Sequence, residues 1–179
     1  MKRKTILSII VLAAVFILQS CNSTDSKQAT FTLDNLTIFA EGPLFEGSNT
    51  GQVEVSDALA GFLKENNLTE KQLSNASLST CKISYSPESD SAEMQNLNML
   101  ESLTLQFAAD ELDMMSLGVI NPIPEGKNEV NLNISDEQDG ILEFLKQSSF
   151  YVVTDAILER DLNDDMKLSC SLTFEIEYK

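Results

Sequence analysis

The chain has 179 residues, 28 of them acidic and 12 basic, a formal net charge of −16, and neither histidine nor tryptophan. So acidic a chain repels nucleic acid and anionic lipid head groups, which makes both poor partner candidates. Without histidine, Ser-His-Asp and Cys-His catalysis, histidine zinc sites and most proton shuttles are closed; without tryptophan, a stacking platform for sugars is poorly supplied.

Lys2, Arg3 and Lys4 precede an apolar run over residues 6–18 that only Ser8 interrupts, and Leu18-Gln19-Ser20-Cys21 closes it. A basic start, an apolar centre and a polar exit are the three parts of an export signal. The run is about thirteen residues, roughly 20 Å as a helix, short of the roughly 30 Å hydrocarbon core, so it suits a cleaved signal better than a permanent membrane helix. A branched apolar residue three before a cysteine, with a small residue directly before it, makes a lipobox. Cys21 is then the acylated residue that holds the mature chain to a lipid bilayer, several acyl chains giving the stable anchoring that one does not. The expected organisation is a signal peptide over residues 1–20, a polar tether over 21–30 and a single domain over 31–179.

Beyond the tether, Phe31, Leu33, Leu36, Ile38 and Phe39 predict a first strand with an irregularity at Asp34-Asn35. Gly42-Pro43 and residues 47–51 read as turns, and Gln52-Val53-Glu54-Val55 as a short strand. Ser56 is placed to cap a helix over residues 57–65, and Thr69 with Gln72 forms a capping box for a second short helix. The two helices are expected to cover one end of a sheet.

From Asn75 the apolar period becomes two: Cys81, Ile83 and Tyr85 share one face, then Leu103, Leu105 and Phe107, then Met115, Leu117 and Val119, then Val130, Leu132 and Ile134. Helical turns are expected over residues 96–100 and 141–146, and a strand over 150–158. The last strand is the cleanest, with Met166, Leu168, Cys170, Leu172, Phe174, Ile176 and Tyr178 at every second position. One dry face and one wet face over so long a run is what a two-sheet antiparallel sandwich requires.

Cys81 and Cys170 either pair, closing a loop of about 90 residues for about 3–4 kcal/mol in the chain-entropy model, or lie as two small buried hydrophobes on strand faces. Asp161, Asn163 and Asp165 stand at alternate positions, as in the opening of a calcium loop. Met166 and Thr173 occupy the places where such a loop needs glycine and glutamate, so the segment reads better as an acidic turn between the last two strands. No carboxylate pair is framed by aromatics, and no glycine-rich phosphate loop is present.

These stretches resemble an uncharacterised Bacteroidota lipoprotein family. The matching segments are the lipobox, residues 97–107 and 113–120, Leu142-Glu143-Phe144-Leu145-Lys146, residues 149–154, the acidic turn 161–165 and the terminal strand. The resemblance implies an immunoglobulin-like β-sandwich at the outer membrane of the cell envelope and transfers no active site. It also draws attention to Asp90-Ser91-Ala92, which matches that phylum's O-glycosylation pattern at Ser91.

The expected fold is therefore mostly β, an immunoglobulin-like antiparallel β-sandwich with a few short helices between strands. The expected role is a membrane-anchored, non-catalytic binding or structural lipoprotein that meets a protein or extracellular partner and needs no cofactor. The alternative is a calcium-dependent adhesive module, or a carboxylate-based, metal-assisted hydrolase.

Overall fold

The computed structural model describes residues 26–85 and 96–179. Cys21, the lipidation candidate, and Ser91, the glycosylation candidate, lie outside the described residues. In chain order the strands are β1 (Lys27–Ala40), β2 (Gly47–Ser56), β3 (Leu73–Ser84), β4 (Leu100–Ala109), β5 (Leu112–Ile120), β6 (Glu129–Asn131), β7 (Asn133–Ile134), β8 (Ser149–Leu158) and β9 (Met166–Tyr178). Two short helices, α1 (Ala60–Asn66) and α2 (Ile141–Leu145), and 3₁₀ turns at Glu70–Gln72 and Leu97–Met99 lie between them.

The protein is mostly antiparallel β with a few short helices, as its apolar periodicity requires. Its strands make one sheet in the order β6-β3-β9-β1-β2-β8-β4-β5-β7, nearly closed into a barrel. The two facing layers are halves of this sheet rather than separate sheets. At one corner β1 meets β2 through the single pair Phe39↔Gln52. At the other corner one continuous segment changes sides: residues 129–131 pair with β3, Leu132 turns, and residues 133–134 pair with β5. Strands that switch sheets in this way make the corners of such folds.

The terminal strand behaves as its alternation dictates. Met166, Leu168, Cys170, Leu172, Phe174 and Ile176 are each no more than 1 % exposed. Their outward neighbours on β9, with β1 and β3, form a wet face of hydroxyls and carboxylates, including Thr32 against Thr173 at 3.3 Å and Thr30 to Glu175 at 3.3 Å. Between the halves, Phe107 of β4 stacks on Phe174 of β9 with centroids 6.3 Å apart and meets Phe150 edge-on at 4.8 Å. Apart from Val153, the buried apolar side chains form one contiguous core.

Several local features are where the residues put them. β1 bulges between Leu33 and Leu36, with Asn35 in the left-handed region at φ 57°. The Thr69–Gln72 capping box is present, Thr69 N–H donating to Gln72 Oε1 at 2.9 Å. α1 starts three residues later than expected, because Asp57 takes a left-handed φ of 47° and ends β2 before the helix. Its Phe62 packs on Phe31 at 5.6 Å, and Phe144 of α2 packs on Phe107 at 5.4 Å, so both helices plug the same barrel end.

Three expectations are corrected. The segment 27–30 is not tether: Lys27 to Thr30 continue β1 against β9, since Ala29 and Phe31 keep the inward face apolar. Residues 47–51 are strand, because β2 pairs with β8 along its whole length, and Gly51 admits β1 closely; a Cβ there would lie 3.0 Å from Ile38 Cγ2. Finally, Val119 does not share Leu117's buried face. A bulge opposite Leu105 and Gln106 reverses the alternation, leaving Leu117 1 % and Val119 43 % exposed.

Candidate functional site

Strand direction gathers four connections at the end opposite the helices: residues 41–46 after β1, the stretch from Asn96 before β4, residues 121–128 after β5, and residues 159–165 after β8. Register sets this, since Ala40 pairs with Met166, Gly47 and Leu100 both pair with Leu158, and Ile120 pairs with Leu103. The connections are tied to one another by backbone bonds. Leu97 N–H donates to Lys127 O at 3.0 Å, Ile123 N–H to Glu101 O at 3.0 Å, and Glu159 N–H to Met99 O at 3.0 Å. Gly126 N–H adds a bond to Asn98 Oδ1 at 2.6 Å. This rim is a preorganised surface, built of loops whose backbone groups satisfy one another.

Asp161, Asn163 and Asp165 lie on this rim. The two aspartates reach the backbone of the 41–46 loop instead of converging on a common point. Asp161 Oδ1 accepts Glu46 N–H at 2.8 Å, and Asp165 Oδ1 accepts Gly42 N–H at 2.9 Å. Between them Leu44 and Leu162 form an isolated antiparallel bridge. The alternation that resembles a calcium loop is thus the spacing of two carboxylates along an extended segment, each capping a donor of the facing loop. Among the described residues no three Asp, Glu or Cys side chains come together to hold a metal ion. Nor is the segment a turn between paired strands: β8 and β9 belong to different halves, and residues 159–165 cross between them.

Cys81 and Cys170 are free and buried. Cys81 pairs with Leu172 and Cys170 with Ile83, so the thiols are diagonal neighbours on adjacent strands. That places their Cα atoms about 7–8 Å apart, beyond the roughly 4.4–6.8 Å a disulfide spans. The second reading of these residues, small hydrophobes on strand faces, is the one the fold adopts. Burial pushes the Cys81 thiol up to about 12 and raises Cys170 as well, with the neighbouring Cys81 as a second cause. Tyr85, 8 % exposed beneath the rim, is raised by burial and then by the Asp164 carboxylate.

The rim carries two features with no local signal in the chain. Phe45 is 65 % exposed at the tip of the 41–46 loop, which Asn49 braces: its Oδ1 accepts Phe45 N–H at 3.3 Å and its Nδ2 donates to Phe45 O at 2.6 Å. A cleft of about 300 Å³ is lined by Asn98, Leu100, Glu101, Pro122, Ile123, Glu125 and Glu159. Its three carboxylates come from the start of β4 (Glu101) and from the connections after β5 (Glu125) and β8 (Glu159), Leu100 and Ile123 line it beside them, and no lysine or arginine does. Such a cleft suits a cationic or hydrogen-bond-donating group carried on an apolar stem. No helix among the described residues is long and apolar enough to cross a membrane. No protein-family model matches the chain, and no curated protein matches it either.

Proposed function

We propose that this chain is an acylated lipoprotein of the bacterial cell envelope, similar to the uncharacterised Bacteroidota lipoproteins, that works as a non-catalytic binding module. Its rim meets a protein or extracellular partner. The observation that carries this reading is the polarity of the barrel. β1 begins at Lys27, at the helix-plugged end, while the rim lies at the other. Only residues 22–26 separate Cys21 from that strand, a reach of at most roughly 20 Å. A chain held by Cys21 therefore keeps its helix end near the bilayer and turns Phe45 and the Glu101–Glu125–Glu159 cleft outward. Loops on a rigid β scaffold are where binding residues concentrate.

Two measurements test the reading. Cys21→Ser should abolish acyl labelling and move the protein from the membrane to the soluble fraction; unchanged membrane retention would overturn the anchor. A photo-crosslinking residue at Phe45 should give adducts on cells, while one at Thr32, on the wet outer face, should not. Equal labelling from both would remove the rim's claim. Protease treatment of intact cells, with a periplasmic lipoprotein as control, then assigns the rim to the outside or to the periplasm.

A further inference from the structure

The barrel fails to close completely, and its two open edges are treated differently. On the side away from β4, β5 is paired only at Gly118 and Val119, with Ile134 and Asn133 of β7, followed by one bond from Ser135 N–H to Leu117 O at 2.9 Å. The chain then runs beside β5 without pairing with it, Ser135, Glu137 and Asp139 lining a cleft with residues 113–116, and turns at Gly140, which has φ 106°. The facing edge, on β3, is covered: α2 packs against that strand, and Gln138 Oε1 accepts Leu78 N–H at 2.6 Å. On β5 the same segment lies against the Met115 side chain, where a Cβ on Gly140 would come within 2.9 Å of Met115 Cε, but it does not pair with the strand before Leu117. Among the described residues, no backbone bond reaches Asp113, Met114, Met115 or Ser116 from that side.

We infer that this stretch of β5 is a docking edge for an extended, lysine- or arginine-bearing segment of a partner protein, which adds to the sheet as a further strand. An unpaired edge offers a row of backbone donors and acceptors that an incoming strand satisfies, with side-chain pockets setting specificity. The pocket here is a cleft of about 200 Å³ beside the edge, lined by Asp113, Met114, Met115, Ser116, Ser135, Glu137 and Asp139. Three carboxylates and no cation line it, and Met114 is 57 % exposed alongside. That chemistry fits a basic side chain whose methylenes lie on the methionines. A second copy of this chain is the wrong occupant, since each copy carries a net charge of −16 and the same carboxylates would meet across the edge. The surface is separate from the rim and does not depend on the role given to it.

The test uses the full chain in detergent micelles and a ten-residue peptide alternating lysine with valine. Binding should protect the outward-facing amides among residues 113–116 from hydrogen exchange. The same peptide N-methylated at alternate backbone amides, with its charge intact, should lose at least about tenfold in affinity, as should the unmodified peptide against Asp113→Lys/Asp139→Lys. Melting temperatures confirm that the variant remains folded, and Asp113→Asn/Asp139→Asn, which removes charge without reversing it, should fall between. Absence of binding at millimolar peptide, or equal binding of the methylated peptide, would overturn the proposal. So would concentration-dependent dimerisation of the chain alone that Asp113→Lys/Asp139→Lys alters, since this would assign the edge to a second copy.

Discussion

Leu44 and Leu162 exchange backbone hydrogen bonds, Leu44 N–H to Leu162 O at 2.7 Å and Leu162 N–H to Leu44 O at 2.8 Å, and Asp161 and Asp165 flank the pair. The arrangement joins the β1–β2 connection to the β8–β9 connection, across the corner where the sheet is held by one strand pair. Asp161→Ala and Asp165→Ala should each destabilise by about 1 kcal/mol, the worth of one hydrogen bond to an exposed carboxylate. The asparagine variants should lose less, because the amide oxygen still accepts. Because these carboxylates are engaged separately, millimolar calcium should leave the melting temperature unchanged; a rise would mean that the folded state holds the ion.

Gly42 packs tightly against the facing loop. A Cβ added there would lie 2.7 Å from both Asn163 O and Asp164 O. Both are backbone atoms, so one loop must move. Gly42→Ala should cost about 1–3 kcal/mol, in the range of overpacking elsewhere, whereas Gly61→Ala, with open space around its Cβ, should not destabilise. Chemical denaturation of the two variants side by side checks this.

Phe107 is fully buried and meets Phe144, Phe150 and Phe174, linking α2 and both halves of the sheet. Phe107→Ala should destabilise by about 3–5 kcal/mol. Phe107→Leu, which refills part of the volume, should recover a large share of that loss.

The buried thiols make an alkaline prediction. Burial raises Cys81 from 9.0 to about 12, and Cys170 is raised in the same direction. The folded chain therefore holds these protons more tightly than the unfolded chain does. Their contribution to stability is fully present below about pH 9 and is lost as pH climbs through about 12. Cys81→Ala/Cys170→Ala should flatten that decline in an alkaline melting series. In the native protein at neutral pH neither thiol should react with iodoacetamide, since the thiolate is the nucleophile, and both should react in denaturant.

The legibility of the fold tracks how local each constraint is. The strand β9, the bulge at Asp34-Asn35, the Thr69–Gln72 box and the helical turn before Phe150 were readable because each is dictated by neighbours within a few residues. The extension of β1 to Lys27 was not, since Gln28 and Thr30 look like tether until Glu177 and Glu175 lie beside them. The reversal of Val119 was hidden for the same reason: a bulge is a mismatch between two strands. Of the rim, the sequence drew attention to Asp161, Asn163 and Asp165 but not to the loop they hold.

By itself, then, the chain determined its chemistry and its periodicities: an acidic protein without histidine, an apolar run closed by Leu18-Gln19-Ser20-Cys21, and alternating strands with one dry face, all properties of residue type and near spacing. Only the tertiary structure decided that the strands of the described residues form one sheet turned at two corners, and that Cys81 and Cys170 sit diagonally as free thiols. It also decided that Glu101, Glu125 and Glu159 share a cleft while one edge of β5 is left without backbone pairing over residues 113–116. Those outcomes depend on which strands pair and in what register. Register is settled by burying every dry face at once, a condition on the whole chain that no single segment carries.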